Sequence, residues 1–392
     1  MKKIYLLLVL MVFIIGFTQI SCKQEEVDAN LYTYRVPVQR EDGWAVGRLN
    51  QYGIDVRPIE EMIRGIKNNQ YLNIHSVLII KDNALLLEEY FPGKDYDGTD
   101  VVYDWNVAHF QASCSKSITS ACIGIAIDRG LFAIPGSGPG NSRETALNRK
   151  MIEFFPQYTD IQWSERKQRI SLQHMLTMST GIRWDESTYS YLDSRSDHYK
   201  MFNSADASRF MLELEQIHEP GTIFSYSSGV TFLLGAVLKQ VSSLPVDDFA
   251  KQYLFDPLGI SDVSWLHVDD GSVLAGGGCY LRPRDMAKLG QLYLMGGVWN
   301  GNRIISAEWI NESSRKRFDV YANGTGYGYQ WWTNQFRANG QTIHAFSAEG
   351  WGGQFIYVFP SLNMVVVFTG GNFAGAHPVN DMVARHILPA AL

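Results

Sequence analysis

The 392-residue sequence has only four cysteines, and they are not arranged for disulfide bonds. Cys114 and Cys122 are eight residues apart in a predicted helix. That spacing separates them by about 12 Å along the helix axis, which is too far for a bridge. Cys279 then has no evident partner. The sequence therefore excludes a small fold held together by disulfides.

The sequence also lacks the charge, histidine and repeat patterns of several common classes. Its 34 basic and 40 acidic residues give a net charge of −6, with no dense basic cluster to follow phosphates, so nucleic acid is not an expected partner. The nine histidines form no H-x-H or H-E-x-x-H pair, so we expect no metal, and no cofactor is predicted. No repeat of about 20–50 residues recurs, which excludes solenoids and propellers.

The N-terminus has a pattern typical of export. Two lysines precede an uninterrupted apolar run over residues 4–17. As a helix this run would reach about 21 Å, short of the roughly 30 Å hydrocarbon core, which favours a cleaved signal over a permanent anchor helix. The Ser21-Cys22 junction resembles a bacterial lipoprotein signal. We expect removal of residues 1–21 and a lipid anchor on Cys22, which would hold the exported protein to a membrane of the bacterial cell envelope (periplasm or outer membrane).

The remaining chain has a globular composition, with 46% hydrophobic and 19% charged residues. Short apolar runs separated by polar turns predict strand pairs over 77–90 and 355–368, and apolar helical patterns predict buried helices over 113–130 and 229–241. Other predicted elements are helices at 58–67, at 171–179 and after Pro378, and a loop over 136–141.

Strands near both chain ends with helices between them predict one domain rather than two. The predicted fold class is α/β, with an antiparallel sheet built from both chain ends and flanked by helices, and an inserted mainly helical region. Residues 22–70 are interpreted as an N-terminal extension and 71–392 as the domain. Within it, 71–110 and 281–392 would form the sheet region, and 111–280 the helical region.

Ser113-Cys-Ser-Lys116 matches the pattern S-x-x-K, whose spacing has a chemical reason. Side chains three residues apart on a helix share a face, so the Lys116 amine can take the proton of the Ser113 hydroxyl. Burial in the apolar helix that follows would lower the lysine pKa toward that of a base. The segments 164–167 and 313–316 also match, but their charge-rich surroundings predict solvated surface. The structural alternative is a serine cap followed by a lysine that reaches solvent.

Two further segments carry chemistry-bearing residues. Tyr226 follows a Pro-Gly turn and precedes a predicted apolar helix, and a phenol beside Lys116 could accept the nucleophile's proton and return it to a leaving group. The alternative is a core tyrosine. Residues 348–354 are Gly-rich and precede a strand, so the N–H of Trp351 could join that of Ser113 in stabilising an oxyanion. A Gly-rich turn is the alternative there.

Together and in this order, these motifs resemble those of the penicillin-recognising serine hydrolases. That family includes class C β-lactamases, D-alanyl-D-alanine peptidases, β-lactamase-like carboxylesterases and aminohexanoate-oligomer hydrolases. The stretches 172–181, 283–290 and 327–332 are also typical of it, and the resemblance runs from about Gly53 to the C-terminus.

The resemblance implies a role for each motif residue. Ser113 would be the acylated nucleophile, with Lys116 and Tyr226 as the proton-transfer pair. The N–H groups of Ser113 and Trp351 would form the oxyanion hole. Ser228 would occupy the last position of the second motif.

The sequence departs from the β-lactamase pattern at two places. No K-[ST]-G occurs, and Ala348-Glu349-Gly350 stands in its place, without the cation and hydroxyl that hold a β-lactam carboxylate. Ser228 replaces the asparagine frequent in β-lactamases. Both changes look more like the esterase and aminohexanoate-hydrolase branch. The residues expected to contact substrate are Ser228, Glu349, Gly350 and Trp331, and the tryptophans Trp331, Trp332 and Trp351 suggest a pocket for an apolar acyl group.

We therefore expect an exported serine hydrolase that cleaves an ester or amide in a small molecule or short peptide through an acyl-enzyme on Ser113. One alternative is a D,D-peptidase or β-lactamase that acts on cell-wall-related substrates. A second is a catalytically silent binding lipoprotein.

Overall fold

The computed structural model describes residues 32–133 and 143–392. The predicted signal, Cys22 and the predicted loop over 136–141 lie outside these ranges. Within them, strands from both ends of the chain form one large sheet, and helices cover both of its faces. The predicted α/β fold class, with its sheet assembled from both chain ends, is confirmed.

Nine strands of the described chain form the large sheet. They are β1 (Ala45–Val46), β2 (Ile74–Lys81), β3 (Ala84–Tyr90), β4 (Phe318–Asp319), β5 (Gly326–Tyr327), β6 (Trp332–Ala338), β7 (Gln341–Gly350), β8 (Gln354–Phe359) and β9 (Met364–Gly370). Their order across the sheet is β1-β3-β2-β9-β8-β7-β6-β5-β4. Neighbours are antiparallel, except that β1 runs parallel to β3.

Smaller sheets lie around the large one. Gly93–Lys94 pairs with Asp100–Val101, Val298–Trp299 pairs with Asn302–Arg303, and Cys279–Leu281 lies between His109–Phe110 and Ser264–Trp265.

The join between the two chain ends is a regular antiparallel pair, β2 with β9. Lys81 lies opposite Met364, and the pairing continues to Val77 opposite Phe368. The turn between β2 and β3 consists of Asp82 and Asn83, with φ angles of 49° and 66°. Aspartate and asparagine tolerate this left-handed backbone, which a two-residue hairpin requires. The hairpin is therefore specified locally, and β9 completes a sheet that the hairpin alone could not stabilise.

The sheet separates two hydrophobic cores. On one face, α1 (Val56–Lys67) packs with the C-terminal helical segments Val379–Met382, Val383–Ile387 and Leu388–Ala391. The other face packs against the main helices of the larger core, which are α2 (Ser115–Asp128), α3 (Ser228–Ser242) and α4 (Pro283–Leu294). Shorter helices surround this core at Arg143–Asn148, Glu165–Gln168, Leu172–Leu176, Asp197–Phe202, Ala207–Glu213, Val246–Ala250 and Ala307–Ser314.

Helix α2 is buried along nearly its whole length, from Ser115 to Ala126. A helix with apolar or small side chains on every side must be enclosed, and α3 and the sheet enclose it. No single helix of residues 32–133 and 143–392 is long and apolar enough to span a membrane; only the bent pair Ser228–Ser242 and Val246–Leu258 together meets the length and composition criteria.

Helix α4 holds the N-terminal segment and the sheet together. Arg284 is almost fully buried, and its guanidinium donates to Glu88 Oε1 at 2.6 Å and to Asp42 Oδ2 at 2.7 Å. Gly290 lets α4 approach β8 and β9, because a Cβ there would come within 2.6 Å of Val365. Residues of the predicted extension are thus tied to the same fold that carries the motifs.

Candidate active site

Ser113 lies in a tight turn, Ala112–Cys114, directly before α2. The prediction placed it in the first turn of the helix itself, whereas α2 begins at Ser115. Ala112 has a φ of 44°, a left-handed backbone that costs a residue with a Cβ roughly 1 kcal/mol. This strained turn leaves Ser113 partly exposed between the buried Ala112 and Cys114, so its hydroxyl can meet a ligand.

Lys116 is fully buried and brings three predicted site elements together. Its Nζ lies 2.8 Å from Ser113 Oγ and 2.9 Å from Ser228 Oγ. The carbonyl of Gly276 accepts its third hydrogen bond at 2.6 Å. The structure thus places Ser113, Lys116 and Ser228 in direct contact, and the alternative of a solvent-reaching lysine is wrong.

Burial of the ammonium group lowers the pKa of Lys116 to about 8. The carboxylate of Glu186 opposes this effect, because a nearby negative charge stabilises the ammonium form. A lysine with this pKa is neutral often enough near neutral pH to accept a proton, which an ordinary surface lysine is not.

Tyr226 also approaches Ser113, with its phenol within hydrogen-bonding reach of that residue. The Lys116 ammonium faces the Tyr226 ring, 4.9 Å from its centroid. Burial raises the pKa of Tyr226 well above its ordinary value, so the phenol stays protonated. The geometry therefore favours Lys116 as the base and Tyr226 as a proton donor to the leaving group.

The tryptophans at 331 and 332 have different places. Trp332 stacks on Tyr226, with ring centroids 5.7 Å apart and an interplanar angle of 24°. Trp331 is fully buried against Tyr293 and Phe346, so its predicted contact with substrate needs correction. Trp331 precedes β6 and Trp332 is its first residue, and of the two only Trp332 stacks on Tyr226.

The end of β7 lies against the nucleophile turn at Gly350. A Cβ at this residue would come within 2.3 Å of the Gln111 carbonyl oxygen and 3.3 Å of the Cys114 nitrogen. Glycine is therefore required for contact with the turn, where the prediction assigned it a contact with substrate. This close approach brings Trp351 beside Ser113, and both residues line the same cavity.

Glu349 lies on the sheet rather than in the cavity. Its carboxylate accepts hydrogen bonds from Ser347 Oγ at 2.6 Å and Asn334 Nδ2 at 2.8 Å. Burial raises its pKa, and these two bonds partly offset the increase. The predicted contact of Glu349 with substrate is corrected accordingly, because strand alternation places its side chain on the same face as that of Ser347.

Lys167, in one of the two competing S-x-x-K matches, is buried and not solvated as predicted. Its Nζ donates to the carbonyls of Leu212 and Leu214 at 2.6 and 2.7 Å. These carbonyls are near the C-terminal end of helix Ala207–Glu213, where a cation is stabilising. Ser164 caps a helix by accepting from the Lys167 N–H. This S-x-x-K match therefore has a structural role, and neither Ser164 nor Lys167 is among the described residues that line the cavity beside Ser113.

A cavity of about 500 Å³ opens beside Ser113. Its apolar and aromatic lining includes Tyr96, Phe110, Leu192, Phe202, Leu274 and Trp351. Among its described lining residues, Asp97 is acidic and none is a lysine or arginine. Such a cavity suits an uncharged, apolar part of a ligand.

Two groups at this site were not found from the sequence. Glu186 contacts Ser228, and His198 lines the cavity. Glu186 lies in the irregular segment between helices Leu172–Leu176 and Asp197–Phe202, where no helix or strand period fixes direction, and His198 lies in the first turn of the short helix Asp197–Phe202. No group of three or more His, Cys, Asp or Glu residues in the described chain has a metal-binding arrangement.

Comparisons with known proteins agree with this geometry. The Beta-lactamase family matches residues 75–387. The 6-aminohexanoate-dimer hydrolase of Paenarthrobacter ureafaciens is 25% identical over 313 residues, covering 74% of this chain and 70% of that protein.

Two solved structures show the same fold. A Bacillus anthracis protein that carries the provisional name 6-aminohexanoate-dimer hydrolase has a TM-score of 0.65 and 17% identity, with 92% of this chain and 88% of that chain covered. A family VIII carboxylesterase has a TM-score of 0.62 and 15% identity, with coverage of 86% and 97%.

The lowered pKa of Lys116 predicts the pH dependence of the nucleophile. Lys116 must be neutral to accept a proton, so the reaction of Ser113 with an active ester should rise about tenfold per pH unit up to about pH 8 and level off above it. The measurement is kcat/KM for a p-nitrophenyl ester across pH, with Ser113→Ala as the blank for spontaneous hydrolysis. A flat profile, or a rate that falls with rising pH, would contradict Lys116 as the base.

Proposed function

We propose that this chain, which belongs to the beta-lactamase family, is a serine hydrolase that cleaves small amides or esters through an acyl-enzyme on Ser113. The observation that carries the proposal is the buried Lys116 amine, 2.8 Å from the Ser113 hydroxyl and with its pKa lowered to about 8. A binding protein has no need of a desolvated lysine beside a partly exposed serine, which argues against the catalytically silent alternative.

In the acylation step, neutral Lys116 accepts the Ser113 proton while Oγ bonds to the substrate's carbonyl carbon. The N–H groups of Ser113 and Trp351 stabilise the oxyanion, a role supported by the close approach of β7 at Gly350. The carbon–nitrogen or carbon–oxygen bond then breaks, and the leaving group departs with a proton from Tyr226. The proton on Lys116 returns to the tyrosine oxygen, so the proton count of the site is unchanged.

Deacylation reverses these roles with water. One water proton passes to Lys116, the hydroxide oxygen bonds to the acyl carbon, and the carbon–Oγ bond breaks. Ser113 regains its proton from Lys116, and the acid product leaves. Neither step requires a group beyond these side chains, the substrate and water.

Removal of the nucleophile tests the proposed chemistry. Ser113→Ala should lower ester or amide hydrolysis by roughly a thousandfold or more and abolish labelling by a fluorophosphonate, because the covalent step is lost. The matched control is Ser164→Ala, in one of the two other S-x-x-K segments, which should keep activity and labelling. Mass spectrometry locates the adduct. Near-normal turnover of Ser113→Ala, or an adduct on another residue, would overturn the assignment.

The cavity predicts the substrate class. Because no cation is among its described lining residues and Asp97 is present, a β-lactam carboxylate has no positive partner in the cavity itself. The kcat/KM for p-nitrophenyl esters of short acids, or for small amides, should exceed that for penicillins and cephalosporins at least about a hundredfold, roughly 2.7 kcal/mol. Efficient cephalosporin turnover with negligible ester cleavage would instead support the β-lactamase or D,D-peptidase alternative.

We also propose export and a lipid anchor on Cys22, supported by the N-terminal sequence pattern. In the native host, Cys22→Ser should move the protein from the membrane fraction to the soluble fraction and remove labelling by a radioactive fatty acid, because the acyl chains supply the hold. Unchanged membrane association of the unlabelled variant would point to an uncleaved apolar segment.

A further inference from the structure

Glu186 approaches the catalytic residues from the irregular segment after helix Leu172–Leu176. Its Oε2 accepts hydrogen bonds from the Ser228 N–H at 2.8 Å and the Trp184 indole N–H at 2.5 Å. Its Oε1 lies 3.1 Å from Ser228 Oγ. Ser228 Oγ in turn contacts Lys116 Nζ, so a chain of hydrogen bonds runs from Glu186 to the base without Glu186 touching the nucleophile.

The donor and acceptor capacity of these groups fixes which atom donates in each hydrogen bond between Glu186 and Lys116. An ionised carboxylate only accepts, so the Ser228 hydroxyl proton must point toward Glu186. A lone pair of Ser228 Oγ then faces Lys116, and the Gly276 carbonyl also only accepts. Neutral Lys116 has two N–H bonds and one lone pair. Both N–H bonds are directed to Ser228 and Gly276, which leaves the lone pair facing Ser113.

We propose that Glu186 is a positioning residue, which orients the Ser228 hydroxyl so that the lone pair of neutral Lys116 faces the Ser113 proton. This inference rests on the proposed function, since it assigns a partner to the base of that reaction. Ser228 is thereby the link between Glu186 and Lys116, in addition to its place in the cavity lining.

The titratable groups around the hydrogen bonds from Glu186 to Lys116 do not interfere with a pH experiment on Lys116. Tyr191, Tyr226, Tyr327 and His198 are the other titratable groups that interact with Glu186. Burial raises the pKa of each tyrosine above its ordinary value and lowers the pKa of His198 to about 4. Cys114, beside Lys116, also has a pKa raised by burial. These neighbours therefore keep their neutral forms around pH 8, where Lys116 changes charge.

Glu186→Gln tests the orientation because an amide has the same shape but different hydrogen-bonding capacity. Its oxygen must accept the two N–H groups that now meet Oε2, which places its NH₂ against Ser228 Oγ. The Ser228 hydroxyl proton then points toward Lys116 and forms a hydrogen bond with the lone pair of its amine. That lone pair no longer faces Ser113. The substitution also removes the negative charge that raises the Lys116 pKa.

We expect two changes in Glu186→Gln, measured across pH as the rate of Ser113 acylation by a p-nitrophenyl ester or of Ser113 phosphonylation by a fluorophosphonate. The plateau rate should fall about tenfold or more, and the acid limb of the profile should move down by about one pH unit. Titration with excess fluorophosphonate gives the number of competent sites, so rates per site are independent of losses in folding. If Glu186 had only a structural role, the substitution would reduce the number of sites that react with the fluorophosphonate and leave the acid limb of the pH profile unchanged.

Asp193→Asn is the matched control, because Asp193 is in the same irregular segment and the described contacts of its carboxylate are all with the exposed Arg195. It should leave both the rate and the limb unchanged. Ser228→Ala removes the hydroxyl that links Glu186 to Lys116. Glu186→Gln should therefore lower the plateau rate much less in the Ser228→Ala background than in the unsubstituted protein.

The outcomes separate this inference from the function it builds on. Failure of the parent protein to label at Ser113 would overturn the proposed function. Two results would overturn the role of Glu186 alone. One is labelling at Ser113 with the acid limb of the pH profile unchanged in Glu186→Gln, and the other is a rate loss that adds to that of Ser228→Ala.

Discussion

The desolvation of Lys116 is the interaction on which the rest of the site depends. An amine enclosed by α2, α3 and the Gly276 segment loses its hydration, and only Ser113, Ser228 and one carbonyl replace it. That enclosure lowers the pKa of Lys116 to about 8 and gives the lysine its capacity as a base. The helix can be buried along its length only because the sheet closes over it, and that sheet requires both ends of the chain.

The same sheet supplies the second half of the site. Pairing of β9 with β2 fixes the positions of β8 and β7, and β7 ends where Gly350 touches the nucleophile turn. The strained backbone of Ala112 is held between that strand end and the start of α2. Strain of this kind persists only where surrounding packing determines the backbone, and here contacts distant in sequence provide that packing.

Much of this arrangement could be predicted from sequence because it follows periodicity. The hairpins, α2 and α3 have clear patterns, and Ser113, Lys116 and Tyr226 stand at fixed places beside those helices. The direction in which side chains point and the course of irregular segments were harder to predict from the sequence. Trp331 and Trp332 are equivalent as residue types, and only the course of the backbone into β6 decides which one meets Tyr226. Glu186 has no motif at all, since its position depends on how a long irregular segment folds back over α3.

Chemistry and substrate choice occupy different parts of this chain. The proposed proton-transfer residues are enclosed by α2, α3 and the sheet, whereas much of the cavity wall comes from residues near Tyr96, from Tyr191 and Leu192, and from helix Asp197–Phe202. Proteins of one fold can therefore keep the same buried residues and still hold different ligands. For this protein, the apolar wall, with no lysine or arginine among its described lining residues, carries more information about the substrate than the proposed catalytic residues do.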